Sequence, residues 1–138
     1  MPAPTHVVSV SIYDESPDQQ RLLAATLYGL GCRTANLDCR SAAPEKLAAQ
    51  LVAAPPDVLV WQVGSASDGQ YPRLRRLMED GILGQSGIVV ATPEPTHASS
   101  ALGSLVLTVT LLPAPFTLAA LMHAIRVAQA SVELAVRH

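Results

Sequence analysis

Five short apolar runs alternate with five helical stripes along this chain, and that alternation constrains the fold more than any other feature. Val7 to Ile12 is β-branched and mostly apolar, as a strand covered on both faces requires. Tyr13-Asp14-Glu15-Ser16-Pro17 reads as a turn. Leu22, Leu23, Thr26, Leu27 and Leu30 then recur at helical spacing, and Gly29 and Gly31 mark the end of that helix. Arg33 to Leu37 can form a second strand. Pro44 stands where a first helical turn tolerates it, and Leu47, Leu51 and Val52 stripe a second helix. Pro55-Pro56 stops that helix and feeds a third strand, Val58 to Val63. Gly64 to Gly69 is all turn chemistry, and Leu74, Leu77 and Met78 mark a third helix that ends near Gly81. Gly87 to Ala91 is a fourth strand, closed by Thr92-Pro93-Glu94-Pro95. A short fourth helix covers Thr96 to Leu102, Leu105 to Leu112 reads as a fifth strand, and Pro113-Ala114-Pro115 is a stiff connector. Leu118, Leu121, Met122, Ile125 and Val132 stripe a long last helix.

Strands that alternate with helices imply a parallel sheet with helices on both faces and right-handed crossovers. The expected strand order is 2-1-3-4-5, which puts any site at the carboxyl ends of strands 1, 3, 4 and 5. With 138 residues, 49% of them hydrophobic and 14% charged, the chain suits one domain with a core of its own. Residues 1–6 are expected to be a flexible lead-in. Residues 127–138 continue the last helix beyond what the sheet needs, as a dimerisation helix or the start of a connection to an output domain would.

Several function classes fall away. A formal net charge of −2 argues against a nucleic-acid surface, and the basic cluster of Arg73, Arg75 and Arg76 is too small to track a phosphate backbone. It is expected to be a solvated helix face. The start of the chain lacks the features of a signal peptide, and its most apolar run is too short to span a bilayer, so a cytosolic location is expected. Cys32 and Cys39 match neither a redox pair nor a zinc knuckle and are expected to be free thiols. His97 and His123 lack partners at ligand spacing. No phosphate-binding glycine loop, nucleophile elbow or HExxH helix is present.

Four short segments converge on the carboxyl edge: Asp14-Glu15, Gln62, Thr92 and Ala114-Pro115-Phe116. In this order and spacing the chain resembles the receiver domain of two-component response regulators, a CheY-like, flavodoxin-like (βα)5 fold. Tyr13-Asp14-Glu15-Ser16-Pro17 is similar to the family's acidic pair with its proline. Pro56-Asp57-Val58-Leu59-Val60-Trp61-Gln62 resembles the strand that delivers the phosphoacceptor, and Asp68-Gly69 the Asp-Gly that opens the third helix. Val89-Val90-Ala91-Thr92 resembles the strand that ends in the switch hydroxyl, and Leu112-Pro113-Ala114-Pro115-Phe116 the family's Lys-Pro-Phe turn.

The resemblance implies an aspartate nucleophile, acidic residues on Mg²⁺, a lysine on the phosphoryl group and a Ser/Thr hydroxyl that carries the switch. Asp14, Glu15 and Thr92 match. The acceptor is Gln62 and the lysine position is Ala114, while the chain's one lysine is Lys46, on the second helix. Leu111 stands where the family's switching aromatic is found. A carboxamide is a far poorer nucleophile than a carboxylate and adds no charge to a metal site. The expectation is therefore a pseudo-receiver: not an enzyme, without a cofactor, with Mg²⁺ bound weakly or not at all by Asp14 and Glu15.

The plainer reading of that acidic pair is a solvated loop that caps the first helix. The family's usual output face, helix 4, strand 5 and helix 5, implies a protein partner or self-association through Leu111, Phe116, Met122 and Arg126. Two alternatives stay open: a phosphorelay receiver that uses Asp68 as a displaced acceptor, or a domain that binds a small ligand in a pocket lined by Glu15, Gln62, Thr92 and Ala114. Ala114-Pro115 is expected to keep the family's cis peptide.

Overall fold

The computed structural model describes residues 7–38, 44–64 and 70–136. Asp68, the Asp68-Gly69 motif, Cys39 and the first six residues lie outside them. The strands are β1 (Ser9–Asp14), β2 (Arg33–Asn36), β3 (Val58–Gln62), β4 (Gly87–Thr92) and β5 (Thr110–Pro113). The helices are α1 (Pro17–Gly29), α2 (Pro44–Ala53), α3 (Gln70–Glu79), α4 (Pro95–Leu102) and α5 (Leu118–Val136). All strand pairs are parallel, and the sheet order is β2-β1-β3-β4-β5, as expected.

Strand alternation sorts the core into two layers. Val10, Ile12, Val58, Val60, Val89, Ala91 and Leu112 face α1 and α5, where they meet Leu27, Leu121, Ala124, Ile125 and Ala128. Tyr13, Leu59, Trp61, Val63, Ile88 and Val90 face the other way, against Leu47 and Leu51 of α2, Tyr71, Leu74 and Leu77 of α3, and Ala98 and Leu102 of α4. The close fit of α5 depends on Gly87. A Cβ there would lie 2.5 Å from the Ala128 carbonyl oxygen and 2.6 Å from its carbon. Here the helix backbone rests directly on the strand.

Four element readings need correction. β1 runs two residues later than the apolar run suggests, so Tyr13 and Asp14 are strand, not turn. The cause is a cross-strand partner: Tyr13 is directly opposed to Trp61, and the two buried rings stack with centroids 3.7 Å apart. Leu105 to Leu112 is not one strand. Gly103–Thr108 forms a 3-10 turn, and only Thr110–Pro113 pairs with β4. The turn folds Leu105 and Val106 onto the core under α4 and leaves Leu107 86% exposed, whereas an extended run would carry these side chains past the end of β4. In α1 the buried ridge is Gln20, Leu23, Ala24 and Leu27, while Leu22 and Leu30 are exposed. Val52 is likewise exposed on α2.

Gln20 accounts for the ridge in α1. Its Nε2 donates to the Ile12 carbonyl at 2.8 Å and the Leu37 carbonyl at 2.9 Å, which ties the helix to the ends of β1 and β2. A buried amide with its donors matched costs little, so a glutamine serves here as core.

Candidate functional site

The carboxyl edge is built from the ends of β1, β3, β4 and β5. Asp14 ends β1 and is directly opposed to Gln62 at the end of β3. Both follow the alternation of Ile12 and Val60, so both belong to the α1/α5 side of the sheet. Thr92 ends β4 and follows Ile88 and Val90, on the α2–α4 side. Pro113 is directly opposed to Thr92, and the Ala114 N–H donates to the Thr92 carbonyl at 2.8 Å. The Ala114–Pro115 peptide is cis. The structure thus gathers Asp14, Gln62, Thr92 and Ala114 on one edge and divides them between its two faces.

The acidic pair does not act as a pair. Glu15 is exposed, whereas Asp14 is only 5% exposed. This corrects the expectation of a solvated acidic loop. Asp14 Oδ1 accepts the Ser16 N–H at 2.9 Å, just ahead of α1, where Ser16 caps the helix through a contact of its Oγ with the Gln19 N–H at 3.4 Å. Burial raises the Asp14 carboxyl above its ordinary range. The Ser16 N–H opposes that shift, and the charge of Glu15 adds a smaller push upward.

Asp14 Oδ2 and Gln62 Oε1 are both sealed from water, and neither has a hydrogen-bond partner among the described residues. Buried acceptors without donors cost roughly 1–3 kcal/mol each, and more when charged. These residues do not suit the Mg²⁺ that the family resemblance implies. They offer one buried carboxylate, one neutral amide and one exposed acid, while Mg²⁺ prefers several carboxylates or phosphates and keeps most of its own water. The described residues contain no group of three or more His, Cys, Asp or Glu that could hold a metal ion.

Thr92 is 1% exposed, and its hydroxyl is engaged. Oγ1 accepts from the Tyr71 hydroxyl at 3.1 Å and from the Glu94 N–H at 3.0 Å. Tyr71 comes from the first turn of α3, is 2% exposed, and meets His97 of α4 edge-on at 5.7 Å. Sequence reasoning missed it by starting the α3 stripe at Leu74. Tyr71 lies three residues earlier on the same stripe, and that spacing was the available signal. Arg73 was also misread in part. Its Nη1 donates to the Tyr13 hydroxyl at 3.2 Å. Arg75 and Arg76 do form the solvated face, paired with Glu79 at 3.2 Å and Asp80 at 3.9 Å.

The groove next to Gln62 is not the one expected. It has a volume of 350 Å³ and runs between α1 and α5, with Leu22, Leu23, Phe116, Leu118 and Leu121 on its walls and Gln62 among its lining residues. Glu15, Thr92 and Ala114 do not line it. Of the residues expected to form an interaction face, Arg126 is exposed and Met122 is half-buried. Leu111 packs on the α2–α4 core and Phe116 on the α1/α5 core. Leu102 and Ile125 are buried outright. No described helix is long and apolar enough to cross a membrane.

No protein-family model matches the chain, and no curated protein matches its sequence. Solved structures match in three dimensions. Chemotaxis protein CheY4 of Vibrio cholerae superposes with a TM-score of 0.66 at 17% identity, over 89% of this chain and 99% of that one. The signal receiver domain of a signal transduction histidine kinase from Syntrophus aciditrophicus gives 0.70 at 18% identity, over 92% and 93%. NtrX from Brucella abortus gives 0.73 at 14% identity, over 96% of this chain and 29% of that longer one. Five parallel strands in the order 2-1-3-4-5, five helices and these neighbours together show that the chain has the CheY-like, flavodoxin-like fold of response-regulator receiver domains.

Proposed function

We propose that this chain is a pseudo-receiver: a signalling module that works without phosphoryl transfer and communicates through protein contact. The observation that carries the reading is the carboxamide of Gln62 at the end of β3, directly across from Asp14, where phosphoryl chemistry needs a nucleophilic carboxylate. Ala114 supports it, since a methyl group cannot pair with a phosphoryl oxygen. The chain's one lysine, Lys46, is on α2 and not in the turn that follows β5. The Thr92 hydroxyl is already bonded within the fold. On this reading the domain has no catalysis of its own, needs no cofactor and does not contact nucleic acid directly.

Its contacts are assigned to α4, β5 and α5. Arg126, Met122 and the exposed Leu107 supply a mixed apolar and basic surface there. The match of this chain to 29% of NtrX supports an output domain joined to the receiver in the full protein. The test is incubation with acetyl phosphate and Mg²⁺ followed by intact mass. The expected result is an unchanged mass. A stable gain of one phosphoryl group, lost in Asp68→Asn, would replace this reading with a phosphorelay receiver that uses a displaced acceptor.

A further inference from the structure

Asp14 and Gln62 share one feature: each has a buried oxygen with no donor among the described residues. They are directly opposed in the β1–β3 ladder, where neighbouring strands run about 4.8 Å apart, and they fall on the same face of the sheet. Among the described residues the Asp14 carboxylate has one of its oxygens matched, by the Ser16 N–H. Across the ladder, Gln62 carries two N–H donors, and its Oε1 has no partner among the described residues. A half-turn of a terminal amide exchanges its oxygen and nitrogen with almost no change of shape. That half-turn would put an N–H in the buried position that Oε1 now holds, across the ladder from Asp14.

We propose that Gln62 is the counter-group of Asp14: its carboxamide N–H donates to Asp14 Oδ2 and takes the electrostatic role of a divalent cation. Gln62 is then a replacement part as well as a lost nucleophile. A carboxylate at this position would face Asp14 directly, and two such groups repel unless a cation lies between them. A carboxamide satisfies the same carboxylate with no ion, so the edge stays closed whatever the cation concentration. This deepens the phosphorylation-independent reading and rests on it, but the two fail separately. The acetyl phosphate assay asks whether a phosphoryl group is accepted, and the experiments below ask what faces Asp14.

The main experiment is a double-mutant cycle of Asp14→Ala and Gln62→Met, read by urea unfolding. The expected coupling is about tenfold in the folding equilibrium constant. Gln62→Glu should be less stable than the wild type in EDTA and should regain stability when Mg²⁺ is added. Two measurements need no variant. The melting temperature of the wild type should not change with Mg²⁺, and the Gln62 side-chain NH₂ protons should exchange slowly with solvent by NMR. An additive cycle, a wild type stabilised by Mg²⁺, or fast exchange of those protons would each overturn the proposal.

Discussion

The Tyr71–Thr92 contact makes an asymmetric prediction. Both residues are almost fully buried, at 2% and 1% exposure, and their hydroxyls are 3.1 Å apart. Tyr71→Phe removes one donor. Thr92 Oγ1 keeps the Glu94 N–H at 3.0 Å, so the substitution leaves no buried orphan. The cost should be that of one net hydrogen bond, about 1 kcal/mol. Thr92→Val is nearly isosteric but leaves the Tyr71 hydroxyl buried with nothing to donate to, and it also strips the Glu94 N–H. The lost bond and the orphaned hydroxyl together should cost about 2–3 kcal/mol. In the double variant the orphan disappears, so its cost should fall short of the sum by about 1 kcal/mol or more. In a domain of this size 1 kcal/mol moves the melting temperature by about 3–5 °C. Urea unfolding followed by Trp61 fluorescence suits the assay, because Trp61 is the chain's one tryptophan and is fully buried. If Tyr71→Phe proves as costly as Thr92→Val, or if the two effects simply add, the Thr92 hydroxyl is not held by Tyr71.

Gly87→Ala should lower stability by about 2–3 kcal/mol, because its Cβ would meet the α5 backbone at 2.5 Å, whereas Gly29→Ala, with nothing within 4 Å, should be near neutral in the same thermal melt. Burial raises the Asp14 carboxyl, so the folded state holds that proton more tightly than the unfolded chain. The resulting stability is fully present below the ordinary value of 3.8 and is lost as pH rises through the folded value. Asp14→Asn should remove that loss and flatten the stability–pH curve over this window, as measured by urea unfolding at a series of pH values. Burial also raises the Cys32 thiol, so in a Cys39→Ser background alkylation by iodoacetamide at pH 8 should be slow until urea unfolds the protein.

Much of the fold was legible because its signals are local. β-Branched runs, helical stripes and the Pro and Gly breaks between them carry element type in the chain itself, and the βα alternation then leaves few topologies. The misreadings arose where an element is completed by a distant partner. Tyr13 looks like a turn residue beside Asp14-Glu15-Ser16-Pro17, until Trp61, far along the chain, supplies the ring that makes it strand. Leu105 to Leu112 has the composition of a strand throughout, yet only the part alongside β4 can pair. Leu22 and Leu27 are equally apolar, and only packing against the sheet tells the exposed one from the buried one.

The site divides in the same way. The sequence by itself determined which chemical groups the carboxyl edge can hold: an amide at 62, a methyl at 114, a hydroxyl at 92 and a carboxyl at 14. Identity at the end of a strand is a one-dimensional fact, and the strand pattern carries it to the right edge. Only the tertiary structure decided what each group faces. It buried Asp14 and exposed Glu15, set Gln62 directly across from Asp14, and gave the Thr92 hydroxyl to Tyr71. Burial, ladder register and hydrogen-bond partners depend on residues far apart in the chain, and those relations set the charge and reactivity of a side chain.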